Sequence, residues 1–193
     1  MRAAELLVIG AIGVVPLAIV GPFVTRDRQG RRQPFRPGLV ALALGVVAYL
    51  VSRVASSAVE RLSGLEVDAP GAGVGGTAYA FLVVGPVNEG LRAAAAIPGL
   101  RSEHMRVPYD AMRVAIGAAA SFATCESIEH LAGAGVTVAG GVRVLAAFSA
   151  QVALTSMWGF ALGRERRRRL GGQGFTRAFL VAVGFSSLVR YLL

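Results

Sequence analysis

The sequence predicts an all-α protein, a polytopic membrane bundle of about six transmembrane helices. Of its 193 residues, 54% are hydrophobic and only 16% are charged, whereas a soluble domain usually carries about a quarter charged residues. The apolar residues also gather in runs long enough to cross a bilayer, which takes about 20 residues of α-helix. The chain is therefore expected to form a single transmembrane domain over residues 1–193, surrounded by lipid.

Six apolar runs predict the helices in order. The first, Leu6–Val24, is long and lacks a small-residue cleavage site, so we interpret it as a retained span and not a signal peptide. Glycine or serine pairs four residues apart predict close helix contacts on the fourth span (Gly117 and Ser121) and on the fifth (Gly159 and Gly163). The other five runs are Pro37–Ser57, Ala78–Leu100, Ala111–Ala134, Gly141–Gly163 and Phe175–Leu193.

Arginines in the connecting segments predict the orientation of the bundle. Residues 25–37, 101–110 and 164–174 carry five, two and five arginines, whereas residues 58–77 and 135–140 carry a single arginine between them. Because arginine-rich loops stay in the cytoplasm, both termini are expected on the non-cytoplasmic side. The arginines that give the net charge of +9 thus serve to orient the protein in the membrane. No nucleic-acid-binding module accompanies them. Arginine without lysine indicates a GC-rich genome, hence a multi-pass protein of the bacterial cytoplasmic membrane.

Three of the spans carry polar side chains near the middle of the membrane. The third contains Asn88, Glu89 and Arg92, the fourth contains Glu126, and the fifth contains Gln151. An ionisable group at that depth is costly and marks a functional site by default. We expect these groups to meet in one site if the three helices are neighbours.

The order and spacing of these polar groups resemble the motifs of the PrsW family of intramembrane proteases. Residues 88–92 (Asn-Glu-Gly-Leu-Arg) resemble the Glu-Glu-x-x-Lys motif of that family. The segment from Asp110 through Phe122 to Glu126 is similar to a longer family segment, in which an Asp-Gly pair leads to Phe-Ala-x-x-Glu.

A third motif completes the resemblance, which covers residues 78–163. Arg143, followed by Gln151-x-x-x-Thr155, is similar to the family's arginine and its His-x-x-x-Thr/Ser segment. The resemblance implies an intramembrane peptidase whose partner is a single-span membrane protein substrate. It implies Glu89 and Glu126 as catalytic candidates. The site lining that it implies is Asn88, Arg92, Asp110, Phe122, Arg143, Gln151 and Thr155.

Three substitutions separate this chain from the family motifs and keep more than one function open. Asn88 replaces a glutamate, Arg92 a lysine and Gln151 a histidine. An amide cannot take a proton from water near neutral pH, and glutamine does not titrate as histidine does. The protein is then either a peptidase with an altered site or an inactive pseudoprotease that binds a membrane helix as a scaffold or regulator. A small transport protein is a third hypothesis, since polar groups within the membrane also line ion paths.

Purely structural interpretations of the same residues also stay open. Glu89 and Arg92, three residues apart, can form a buried ion pair that bridges helices without chemistry. Asn88 and Gln151 can serve as interhelical amide hydrogen-bonding groups.

No metal or other cofactor is predicted from the sequence. Its two histidines, His104 and His130, are expected on opposite sides of the membrane, which disfavours a shared metal site. Glu126 and His130 stand four residues apart on one helical face, a spacing that suits a metal or an acid–base pair. His130 is nevertheless near the outer end of its span, where a solvated histidine is the simpler interpretation.

Overall fold

The computed structural model describes residues 3–25, 36–63, 77–101, 107–168 and 172–192, and these residues form a bundle of six α-helices without a strand. The predicted all-α membrane bundle is therefore confirmed. The helices are α1 (Ala3–Thr25), α2 (Arg36–Ser63), α3 (Gly85–Leu100), α4 (Pro108–Ala134), α5 (Val138–Arg168) and α6 (Gln173–Leu192). Outside the described residues lie Arg26, Arg28, Arg31, Arg32, His104, Arg106 and Arg169, so the orientation of the termini stays a prediction.

Within the described part of the chain, four segments are long and apolar enough to cross a membrane, and α6 contributes a shorter apolar stretch. Helix α4 does not meet the same hydropathy criterion, because it carries ionisable residues at both ends. It runs through the centre of the bundle, where it contacts α1, α2, α3 and α5, and sixteen of its 27 residues are buried. Other helices take the place of lipid around it. The four apolar segments are Val8–Thr25, Arg36–Leu62, Thr77–Leu100 and Val138–Arg166.

Small residues let the neighbouring helices approach α4 closely, as the glycine spacing predicts. A Cβ atom at Gly159 would lie 2.5 Å from the Cβ of Ala115, and one at Gly163 would lie 2.7 Å from the Cα of Pro108. On the other side of α4, a Cβ at Gly45 of α2 would lie 2.3 Å from the carbonyl oxygen of Ala118. Any side chain at these three glycines would push the helices apart.

The helix that carries the polar motif changes its geometry immediately before that motif. A helical turn at residues 77–79 leads into a π-helical segment, Ala80–Val84, which continues as α3. Pro86 lies in the first turn of α3, where its missing N–H and fixed φ are tolerated. Asn88 and Glu89 follow within one turn.

Helix α5 is longer than the predicted span and reaches Arg168. Arg164 and Arg166 thus lie on its last turns and not in a loop. The guanidinium of Arg166 donates a hydrogen bond to the carbonyl oxygen of Leu100, at the end of α3. A carbonyl left without a partner at a helix C-terminus is satisfied in this way.

Candidate functional site

Polar side chains of α3, α4 and α5 meet at a cavity of about 330 Å³ inside the bundle. Its volume is at the lower end of the range for small-molecule sites, about 300–1,000 Å³. Helices α2 and α6 contribute to its walls as well. Five residues that the sequence predicted for the site line it, namely Asn88, Arg92, Glu126, Arg143 and Gln151.

Glu89 lies behind the cavity and is not one of its lining residues. Its side chain is fully buried, at 0% exposure. The carboxylate accepts hydrogen bonds from Arg92 Nη1 (2.6 Å), Ser186 Oγ (2.6 Å) and Trp158 Nε1 (3.2 Å). A guanidinium and two neutral donors compensate the buried charge, as such a group requires. Glu89 thus ties α3 to α5 and α6.

Arg92 connects this buried carboxylate to the cavity. Its Nη2 donates to the Oε1 of Gln151 at 2.8 Å and lies 4.0 Å from the Oε2 of Glu126. The Nε2 of Gln151 in turn donates to the same oxygen of Glu126 at 2.7 Å. Beneath the guanidinium lies the ring of Phe122, 4.5 Å away, in a cation–π contact. One polar chain therefore joins Glu89, Arg92, Gln151 and Glu126 across three helices.

Asn88 and Glu126 present polar groups to the cavity itself. The Oδ1 of Asn88 accepts a hydrogen bond from the hydroxyl of Ser52 on α2. Within the described part of the chain, the amide nitrogen of Asn88 makes no hydrogen bond. Its two N–H groups are therefore donors available to a ligand. The side chain of Glu126 is 21% exposed, so its carboxylate is reached from the cavity.

One end of the cavity, the α4–α5 end, is formed by the last turns of α4 and the first turns of α5. Glu129 accepts a hydrogen bond from the hydroxyl of Tyr49 and lies 2.8 Å from the Nη2 of Arg53, so α2 fixes its position. His130 and Arg143 line the same end. In contrast to Arg53, Arg143 forms no hydrogen bond or ion pair with any other described residue.

Three predicted lining residues lie outside the cavity, and each has a structural position. Asp110 lies in the first turn of α4, where its Oδ2 accepts a hydrogen bond from the backbone N–H of Val107 at 3.1 Å. Sixteen residues of helix separate it from Glu126, a distance of about 24 Å. Phe122 lies beneath the guanidinium of Arg92 and supports it from below. Thr155 is fully buried, and its hydroxyl has no hydrogen-bond partner among the described residues.

Three partners of the polar chain were not predicted from the sequence: Ser52, Trp158 and Ser186. Trp158 follows Gln151 by seven residues, so the two share one helical face. Because a buried indole N–H usually finds an acceptor, this spacing could have identified it. Neither serine has a local signal of this kind.

The family that the motifs resemble also matches most of the chain. The model described as PrsW family intramembrane metalloprotease matches residues 33–192. The chain belongs to the PrsW family. The match runs from before α2 to the end of α6, well beyond residues 78–163. No curated protein and no solved structure matches the chain.

The PrsW description implies a metal ion, and the residues of this site do not fit one. A catalytic zinc site takes three protein ligands, drawn from His, Cys, Asp and Glu. Among the described residues, no group of three or more such side chains could hold a metal. Two of the motif positions are amides here, and Gln151 bonds Arg92 through its oxygen and Glu126 through its nitrogen. The cation that lies between the carboxylates is the guanidinium of Arg92.

Proposed function

We propose that the protein is an intramembrane peptidase that cleaves a segment of a membrane-embedded protein, with Glu126 as its general base. One observation carries the proposal: a carboxylate and an amide with two available donors face the same cavity within the bundle. These are two groups that hydrolysis of a peptide bond needs, one to accept a proton and one to stabilise negative charge. Membership of the PrsW family supports the reaction class.

Glu126 suits the role of base because its orientation is fixed. Gln151 donates to its Oε2 at 2.7 Å, and the Arg92 guanidinium lies 4.0 Å from the same oxygen. The carboxylate would take a proton from water as the hydroxide adds to the scissile carbonyl carbon. When the C–N bond breaks, the same proton passes to the leaving amine, which leaves the carboxylate as it began.

Asn88 suits the role of oxyanion donor. Its Oδ1 is held by Ser52, so its N–H groups are turned toward the cavity without another described partner. Donors fixed in advance stabilise the charge that develops on the carbonyl oxygen. The substitution of the family's first glutamate then exchanges an acid for a donor at the same position.

The size of the cavity favours an extended segment as the substrate. A helix is about 10 Å wide with its side chains, too wide for a cavity of about 330 Å³. A single-span protein would therefore have to unwind locally, next to its transmembrane helix. The use of arginine without lysine favours a bacterial cytoplasmic membrane location. The distribution of the arginines favours both termini outside, and the α4–α5 end of the cavity then faces the non-cytoplasmic side.

The test is cleavage of a single-span protein by the full chain in liposomes. Glu126→Gln should lower the rate by about 10²–10⁴-fold, because it removes the base and keeps the size. The matched control is Glu60→Gln, a carboxylate on α2 outside the cavity, which should cleave like the wild type. Asn88→Ala should lower kcat by about 10²–10³-fold. Equal cleavage by Glu126→Gln and the wild type would exclude Glu126 as the base.

A second candidate function is a pseudoprotease that binds a membrane helix without cleaving it. It is favoured by Gln151, which takes the position of the family's histidine and has both ends of its amide bonded. No group that titrates near neutrality then stands at that position. The double variant Asn88→Glu with Gln151→His tests this function. Proteolysis that appears only in the double variant supports the pseudoprotease, and cleavage by the wild type contradicts it.

A further inference from the structure

The α4–α5 end of the cavity holds a cation without an ion-pair partner among the described residues. Three arginines line the cavity, and two of them are paired. Arg53 lies 2.8 Å from Glu129, and Arg92 lies 2.6 Å from Glu89. Arg143 has no such partner among the described residues. Its own helix offers none nearby, because no acidic residue occurs in α5 before residue 165.

Arg143 and the polar chain lie at two ends of one face of α5. Gln151 follows Arg143 by eight residues, and Ala147 and Ala150 between them also line the cavity. Eight residues of helix correspond to about 12 Å. The two alanines leave room along this face, and the opposite wall is the end of α4 beyond Glu126. The cavity thus offers a path from Glu126 outward to Arg143.

We propose that Arg143 is a subsite for an acidic side chain of the bound peptide, three or four residues from the bond placed at Glu126. This inference rests on the proposed function, because it requires a peptide in the cavity. An extended chain advances about 3.3 Å per residue. Three to four residues therefore cover the length of α5, about 12 Å, between Gln151, which donates to Glu126, and Arg143. A guanidinium binds a carboxylate through two parallel hydrogen bonds, which a neutral side chain cannot match.

The subsite defines a class of substrate. It is a single-span protein with aspartate or glutamate close to its transmembrane helix on the non-cytoplasmic side. A phospholipid phosphate could also pair with an exposed arginine. The position of Arg143 on the wall that leads to Glu126 favours the peptide.

The experiment measures binding separately from cleavage. The full chain with Glu126→Gln is placed in nanodiscs of phosphatidylcholine together with a labelled single-span protein, and affinity is measured by energy transfer. One aspartate is moved through ten positions of the substrate's juxtamembrane segment, each compared with asparagine. Aspartate should raise affinity by about tenfold at one position or two adjacent ones. Arg143→Gln should abolish this preference, and Arg143→Glu should transfer it to lysine.

Arg61→Gln is the matched control, since Arg61 is exposed on the same predicted side of the membrane and does not line the cavity. It should keep the aspartate preference. Binding that is equal for all aspartate positions would overturn the subsite and leave the peptidase proposal standing. Equal binding at all aspartate positions, together with an effect of Arg143→Gln on affinity that appears only in phosphatidylglycerol nanodiscs, would show that Arg143 binds lipid. That result would also overturn the subsite. No binding at any position would overturn both proposals. If Arg143→Gln does not fold, the aspartate scan with the Glu126→Gln chain alone tests the subsite. A preference at one position or two adjacent ones supports the subsite, and equal binding at all positions overturns it.

Discussion

Removal of the Glu89 charge should destabilise the bundle by about 3 kcal/mol. Glutamine has the same size, so Glu89→Gln mainly removes the charge that Arg92 Nη1 contacts at 2.6 Å. Breaking a buried ion pair costs about 3–5 kcal/mol, because the remaining charge stays buried. We expect the low end of that range. The other arm of Arg92 keeps Gln151 at 2.8 Å and Glu126 at 4.0 Å.

A double-mutant cycle separates the pair from its surroundings. Arg92→Met should cost more than Glu89→Gln, about 4–5 kcal/mol, because it leaves both Glu89 and Glu126 without their guanidinium. The double variant should cost less than the sum of the two, with a coupling of about 2–3 kcal/mol. The assay is reversible unfolding in mixed micelles. Glu60→Gln, a change outside the buried chain, should stay within about 0.5 kcal/mol of the wild type.

Two results would refute this reasoning. If Glu89→Gln unfolds like Glu60→Gln and shows no coupling to Arg92, the pair does not hold the helices together. If Glu89→Gln keeps the wild-type stability but abolishes cleavage, Glu89 takes part in the reaction. Its seal by Trp158 and Ser186 would then have to open during turnover.

Two further predictions concern residues outside the cavity, at the contact between α4 and α5 and at the start of α4. Gly163→Leu should lower the free energy of unfolding by about 1–3 kcal/mol, because its Cβ would lie 2.7 Å from the Cα of Pro108. The control is Gly141→Leu, whose Cβ would have no neighbouring atom within 4 Å among the described residues, and it should unfold like the wild type. Asp110→Ala should lower the free energy of unfolding by about 1 kcal/mol in the same assay, because it removes the cap at the start of α4. The cleavage rate of the folded protein should stay unchanged. A lost cleavage rate with intact stability would contradict the structural role of Asp110.

The depth of polar residues within apolar runs was enough to predict that these side chains meet. Glu89, Glu126 and Gln151 are each near the middle of a predicted span, and the structure joins them in one polar chain. Which carboxylate faces the cavity could not be predicted. Adjacent residues point about 100° apart around a helix. The rotation of α3 that buries Glu89 and turns Asn88 to the cavity is set by Ser52 and by partners on α5 and α6.

Hydropathy predicted where α4 begins and ends, but it did not predict that other helices surround α4. The predicted span Ala111–Ala134 differs from the helix by three residues at its start and none at its end. Mean hydropathy cannot tell a helix surrounded by lipid from one surrounded by protein, because both exclude water. The position of Asp110 outside the cavity could have been predicted from its spacing to Glu126. Sixteen residues of helix are about 24 Å, too far for a side chain at the end of α4 to reach Glu126.

The departures from the PrsW motifs are distributed in a way that the structure explains. Asn88 and Gln151 both line the cavity, so changes there alter what a ligand meets. Glu89 matches the motif and is sealed among donors from three helices, where loss of its charge would leave Arg92 unpaired. Arg92 differs from the family's lysine but keeps the charge, and its fork reaches Glu89 and Gln151 at once, which a single ammonium does less well. The buried ion pair of the motif therefore keeps its two charges, whereas two other side chains that line the cavity differ from the family motif.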